Sequence, residues 1–288
     1  MKFFFPLLFA SSWLLSSCDR SSHSGNDPNT LKINGSTTVN LPVAEAAEAL
    51  RSSQGLKILV DTQGGSSGGI SMVGEGLVQL GMASKNLKQK DRDAFPNCDF
   101  HTTRIGQDAV ALIVSTDVWN SGVKSISRAE MAGIYEGEIT NWKELGGADQ
   151  RIVFFNKEPG RGTWEVFAKW AYKDTKNAPQ VSFPEVGGNE ETRSKVSSTR
   201  GAISQLSASW ADGKSIFALA LETESGEVIE ANHANIINGT YPMSRPLLLI
   251  TNGEPEGHAK TFIEFMLSPS GQELVQKHNY LPISLQTK

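Results

Sequence analysis

An α/β fold with largely parallel sheets is predicted by the way short apolar runs alternate with helical patterns from Leu31 to the end of the chain. DAVALIVS (108–115) is an almost unbroken apolar run, which suits a strand buried on both faces of a sheet. No segment repeats at a fixed period, which argues against a solenoid.

The elements read in order as follows. LKIN (31–34) and KILVD (57–61) have strand composition, and the Ala/Glu-rich PVAEAAEALRS (42–52) between them reads as a helix. ISMVGEGLVQ (70–79) reads as a helix and QLGMAS (79–84) as a short strand. SRAEMAGIY (127–135) is a short helix with Ser127 as its cap, followed by the strand RIVFFN (151–156). TWEVFAKWAY (163–172) is helical, TRGAISQLS (199–207) contains a strand, and PLLLITN (246–252) is another. HAKTFIEFMLS (258–268) and SGQELVQKHN (270–279) are helices separated by Pro269.

The chain of 288 residues is long enough for one large domain or two ordinary ones, with 39% hydrophobic and 20% charged residues as in a soluble globular protein. Its formal charge of -4 comes with no basic stripe, which speaks against nucleic acid as a partner. An anion would therefore have to be held by a local site against the global field. Lys2 and the apolar run FFFPLLFASSWLL form a secretory signal over 1–17, too short to span a bilayer comfortably. Leu15-Ser16-Ser17-Cys18 resembles a bacterial lipobox, which implies lipidation at Cys18 and an extracytoplasmic, membrane-anchored protein with a polar tether over 18–30. Cys98 is then left without a partner, so neither a disulfide framework nor a cysteine metal site is expected.

Three strand-to-helix turns are rich in small donors, and parallel sheets place their binding sites at such turns. They are Asn34-Gly35-Ser36-Thr37-Thr38, Gly64-Gly65-Ser66-Ser67-Gly68-Gly69, and Lys157-Glu158-Pro159-Gly160-Arg161-Gly162-Thr163, with Thr163 as candidate N-cap. Helix capping alone accounts for any one of them. Together, and with Lys157 and Arg161 in the third, they point to a shared oxyanion at helix N-termini. Enzyme signatures fail: Ala208 stands where a P-loop ending in Gly213-Lys214-Ser215 needs its first glycine, and the five histidines lack metal-ligand spacing. Ser121-Gly122-Val123-Lys124 lacks the companion motifs of a Ser-x-x-Lys enzyme, so binding without catalysis, metal or cofactor is the reading.

In order along the chain stand NGSTTV (34–39), GGSSGGI (64–70), GMASKNLKQKD (81–91), IGQDAVALIVS (105–115) and EMAGIYEGEITNWKELGG (130–147). PGRGTWEVF (159–167), RGAIS (200–204), INGTYPMSRPLLL (237–249) and FIEFMLSPSGQELVQKHNYLPI (262–283) complete the set. This ordered set resembles the PstS family, the phosphate-binding lipoproteins of bacterial phosphate ABC transporters, and ITNWKELGG is its most specific part. The resemblance implies a two-lobed type II periplasmic binding protein fold, each lobe a mixed, mostly parallel sheet flanked by helices. Lobe one would comprise 31–108 and 233–288 and lobe two 109–232, joined by two hinge strands. It also implies a monomer that captures inorganic phosphate between the lobes and delivers it to the permease subunits of an ABC importer.

By resemblance, the phosphate-binding residues are Ser36, Thr37, Thr38, Ser66, Ser67, Ser84, Lys85, Lys157, Gly160, Arg161, Gly162 and Thr163. Two departures stand out. Lys157 occupies a position where the family usually has arginine and Arg161 one where it usually has serine, so the loop cation is supplied differently. Lys85 stands where some members carry an aspartate that accepts a proton from phosphate, which opens selectivity to sulfate, molybdate or a phosphonate; Glu158 is a candidate replacement acceptor. A phosphate sensor and a phosphatase-like hydrolase are the readings from other classes.

Overall fold

The computed structural model of the protein describes residues 29–283. The signal segment 1–17, Cys18 and all but the end of the 18–30 tether lie outside the described residues.

The chain begins with β1 (Thr30–Gly35), α1 (Thr37–Gln54), β2 (Lys57–Asp61), α2 (Gly65–Gly74), β3 (Leu80–Ala83) and α3 (Gln89–Ala94). The long β4 (Phe100–Ser115) leads into α4 (Thr116–Asn120), β5 (Ser125–Ser127) and α5 (Arg128–Glu136). Next come β6 (Val153–Lys157), α6 (Gly162–Tyr172), β7 (Glu185–Val186), α7 (Asn189–Ser198) and β8 (Ala202–Ser207). The short β9 (Ile216–Ala218), β10 (Ala220–Glu222), β11 (Val228–Ile229) and α8 (His233–Ile237) precede β12 (Ser244–Asn252). The described chain closes with α9 (Gly257–Leu267), α10 (Pro269–Lys277) and β13 (Leu281–Pro282).

One sheet path runs β2-β1-β3-β12-β4-β8-β6-β7. Within each end of it the strands are parallel: β1 with β2 and β3, and β6 with β7 and β8. The antiparallel pairs are concentrated on β4 and β12, which lie side by side from Ser244↔Ala109 to Asn252↔Phe100 with a bulge at Leu247/Leu248. β4 has 16 residues, which at about 3.3 Å per residue spans roughly 50 Å. Its first part pairs with β12, and Val110–Val114 pair with β8. β4 runs antiparallel to both β12 and β8, so the sheet is mixed.

Hydrophobic burial divides at the same place. Leu31, Ile33, Val43, Leu50, Leu249 and Phe262 belong to a first core; Val110, Leu112, Ile134, Trp142, Phe154 and Phe167 belong to a second. Ile236, Tyr241 and Met243, which the expected boundary at 233 assigns to lobe one, pack in the second core, as does Leu281. The ITNWKELGG motif serves this second core. Trp142 is fully buried and donates its indole N–H to the Gly201 carbonyl at 2.9 Å, while Asn141 and Glu144 close a capping box around the turn.

Candidate functional site

Three local sequence decisions build the site. Ser36 is the N-cap of α1, accepting from the N–H groups of Thr38 (3.3 Å) and Val39 (3.4 Å), so the helix begins five residues before the predicted start at Pro42. GGSSGG is helical from Gly65 onward, which makes Ser66 and Ser67 first-turn residues of α2. In the third loop Arg161, not Thr163, holds the N-cap position of α6. α2, α6 and α7 begin with Gly64, Arg161 and Gly188 as N-caps and none has a side-chain cap. Apart from the Gly65 N–H, which donates to the Thr62 carbonyl at 3.3 Å, their first-turn N–H groups remain for a ligand, at the positive ends of three helix dipoles.

These helix starts surround one small cavity, about 10 Å³ in volume, roughly one water-sized sphere. Ser36, Thr37, Thr38, Ser66, Ser84, Lys157, Arg161, Gly162 and Thr163 line it, all predicted from the sequence, together with Gly65, Gly187 and Asn189. Glycine at 162 is a requirement of this closeness: a Cβ there would sit 2.7 Å from the Ser66 hydroxyl and 2.8 Å from that of Ser84.

Hydrogen-bond stoichiometry gives the cavity its polarity. Thr38 Oγ1 accepts from Arg245 Nη2 at 3.1 Å and from Asn189 Nδ2 at 3.0 Å. Both of its lone pairs are thus engaged, and its own proton remains to be donated. Thr163 Oγ1 likewise accepts from Arg245 Nη1 at 2.9 Å. Ser36, having accepted from two backbone N–H groups, donates to Ser84 Oγ at 3.0 Å; Ser84 N–H in turn donates to Ser66 Oγ at 3.0 Å. No aspartate or glutamate is among the lining residues. The wall is a set of donors.

Arg245 was not singled out in the sequence, though it lies in the SRPLLL stretch. It is 2% exposed and anchored on Asp108 through Nε (3.0 Å) and Nη2 (2.8 Å), with Ser207 donating to the other Asp108 oxygen at 2.9 Å. Burial pushes the Asp108 carboxyl upward, against the pull of Arg245 and of the hydrogen bonds it accepts. Asn189 was also missed. Arg245 had the signal of a place in a family-like motif and Asn189 had none, because their partners lie 137 and 151 positions away in the chain.

The two loop cations differ. Lys157, 1% exposed, donates to the carbonyls of Gly187 (2.9 Å) and Gly188 (3.0 Å) and to Thr192 Oγ1. Its three protons are taken by the protein, so it acts on the cavity through its charge. Burial, then the guanidinium groups of Arg161 and Arg245, push its pKa down from 10.5 to about 7. Arg161 passes between two glycines: a Cβ at Gly65 would meet its Cδ at 2.8 Å, and one at Gly187 its Nη2 at 2.8 Å. Its Nε and Nη2 hold Glu158 Oε2 at 2.8 and 2.7 Å, and its Nη1 makes no hydrogen bond among the described residues. Glu158, expected as a possible proton acceptor, is engaged by Arg161 in this way.

Three predicted residues stand apart from the cavity lining. Lys85 turns to Glu165 on α6, which also pairs with Lys88 at 2.8 Å; attraction between opposite charges directs it there. Burial would raise the Glu165 carboxyl, but Lys85 and Lys88 outweigh it and hold the group below its ordinary value. Ser67 accepts from Lys85 Nζ at 2.9 Å and donates to the Gly160 carbonyl at 2.8 Å. Ser67, Lys85 and Gly160 thus form a polar bridge beside the cavity.

The PBP superfamily domain model matches residues 21–270. The phosphate-binding protein PstS of Bacillus subtilis is 30% identical over 257 residues, covering 88% of this chain and 81% of that protein. The PstS of Borreliella burgdorferi is 27% identical over 88% of this chain and 90% of its own length. A candidate phosphate ABC transporter substrate-binding protein of Clostridium perfringens, solved with bound phosphate, superposes with a TM-score of 0.77 at 32% identity, covering 88% of this chain and all of that one (100%). An ABC-type phosphate transport receptor of Vibrio cholerae gives a TM-score of 0.68 at 27% identity, covering 87% of this chain and 99% of that one. With this domain match, and with the Bacillus relative alike over most of both chains, the chain belongs to the PBP superfamily and, within it, to the PstS family of phosphate-binding proteins.

Proposed function

We propose that the protein is an extracytoplasmic substrate-binding protein that captures inorganic phosphate in the cavity between its two halves and passes it to an ABC importer. The observation that carries this reading is the convergence of three helix N-termini without side-chain caps, oriented hydroxyls, Lys157 and Arg161 on one small space. Such a space compensates a desolvated tetrahedral oxyanion oxygen by oxygen. Arg161 Nη1 and the hydroxyls of Thr38 and Thr163 are the direct donors. Lys157 supplies field, and Arg245 orients the two threonines. Gly160, Ser67 and Lys85 act beside the ligand rather than on it.

The halves act as hinged lobes, with β4 and β12 as the two connecting strands, and ligand that touches both halves stabilises the closed form. The chain works by binding, without chemistry, as a monomer held to the membrane through lipid on Cys18. Among the described residues no helix is long and apolar enough to cross a membrane.

The donor-only wall favours one further reading: a fully ionised oxyanion such as sulfate fits as well as phosphate, because no carboxylate lines the cavity to accept a phosphate proton. Isothermal titration with phosphate and with sulfate at pH 7 and pH 8.5 tests both. Phosphate binding that survives excess sulfate at both pH values supports the proposal. Sulfate binding as tight as phosphate at both pH values replaces it with a general oxyanion carrier, and no binding of either anion overturns it.

A further inference from the structure

Arg245, whose guanidinium holds Thr38 and Thr163 at the inner cavity, also lines a second, open cavity of about 450 Å³. Lys85, Lys88, Arg128, Lys169 and Lys173 share its wall, with Trp170 between them. Glu165 is the one carboxylate among its lining residues, and its charge is already shared by Lys85 and Lys88. Asp108 sits behind Arg245, and Glu224 approaches Arg128 Nη2 at 3.6 Å. Asp174, which feels Lys88, is fully exposed. Among the described residues Lys169 and Lys173 make no ion pair, and Arg128 Nε is buried without a hydrogen-bond partner. The cleft keeps a surplus of positive charge in a protein whose formal charge is -4.

Its floor is built, not incidental. Lys85 and Arg245 in it are 4% and 2% exposed and held by Glu165 and Asp108. The volume lies in the range of roughly 300–1,000 Å³ typical of sites for organic ligands, far more than one tetrahedral ion fills. Lys85 and Lys88 already meet on Glu165, which leaves Arg128, Lys169 and Lys173 as the cations for a ligand, and lysines serve as adjustable point charges. We propose that this cleft is a second anion site, distinct from the inner cavity, for an elongated ligand carrying several phosphoryl groups. The proposal does not depend on which oxyanion the inner cavity takes.

Titration of the whole protein with tripolyphosphate, in the presence of saturating inorganic phosphate, tests it. A one-to-one event is expected that persists in inorganic phosphate and weakens with added salt, since cleft charges are screened. In a Lys169→Glu/Lys173→Glu variant it weakens at least about tenfold, while inorganic phosphate affinity stays within about twofold. The single Lys169→Ala variant falls between. No tripolyphosphate binding beside inorganic phosphate overturns the proposal. So does binding unchanged in the double variant, or a double variant that loses inorganic phosphate to the same extent.

Discussion

Two buried ion pairs stand on either side of the anion cavity's rim, and they do different work. Asp108–Arg245 joins β4 to β12, with both side chains almost fully buried; Lys85–Glu165 joins the end of β3 to α6 and is shared with the half-exposed Lys88. Each sets a carboxylate against a cation. Arginine, however, has donors left after satisfying Asp108, and they fix Thr38 and Thr163 as donors toward the cavity. Lysine has only Ser67 left to serve. A buried ion pair is a poor source of net stability, so its value depends on what its spare hydrogen-bonding capacity arranges. The inner pair orients two hydroxyls of the cavity wall; the outer one ties the end of β3 to α6.

Breaking the inner pair should have the largest effect. Arg245→Met leaves Asp108 buried and uncompensated, which should lower stability by about 3–5 kcal/mol. Adding Asp108→Asn should recover most of that stability in a denaturant titration, yet phosphate affinity should stay at least about a hundredfold down, because the two threonines lose their orientation. Recovery of affinity along with stability would show that Arg245 is merely structural. Arg161→Ala comes next. Its free Nη1 supplies a charge-assisted hydrogen bond of about 1.5–3 kcal/mol, so calorimetry should show a loss of about 10- to 150-fold in affinity. Folding should change by less than about 1 kcal/mol, since its pair with the half-exposed Glu158 contributes little.

Lys157 sharpens the comparison through pH. Its pKa falls from 10.5 to about 7 on folding, so between those values the unfolded chain binds more protons than the folded one. Stability of the ligand-free protein should then rise with pH across that window, by up to about 1.4 kcal/mol per pH unit, and flatten below pH 7. An anion in the cavity favours the ammonium. At pH 8.5, titrations in buffers of different ionisation enthalpy should therefore show proton uptake on phosphate binding, and Lys157→Met should abolish it. Equal uptake in that variant would move the titrating group elsewhere.

The ion-pair comparison also explains what the sequence could reveal. The three donor-rich loops were legible because capping chemistry and glycine placement are local, and nine of the predicted residues line one cavity. ITNWKELGG was the most recognisable stretch, yet Trp142 anchors the second core and touches no ligand wall. Arg245, Asp108 and Asn189 looked ordinary because their roles arise only when β4, β12 and α7 come together. The pairing of Lys85 was hidden for the same reason: its partner carboxylate, Glu165, is 80 residues away in sequence. Local chemistry identified the donors, while the groups that orient them depended on tertiary pairing.

The smallest expected effect belongs to the outer pair, through Glu165→Gln. The amide keeps the shape of the side chain but cancels the charge that Lys85 and Lys88 share. Lys88 is 39% exposed and can return to water, and Lys85 keeps Ser67 and the amide oxygen as acceptors, so the loss in stability should fall below the roughly 3–5 kcal/mol of a buried charge left unmatched. Because Glu165 lies on the second half and Lys85 on the first, the lost attraction favours opening. Release of phosphate should accelerate by about two- to fivefold in stopped-flow measurements, with the association rate little changed. A slower association with unchanged release would instead mean that Glu165 guides entry. In that case the outer pair would belong functionally to the basic cleft it borders rather than to the closure of the inner site.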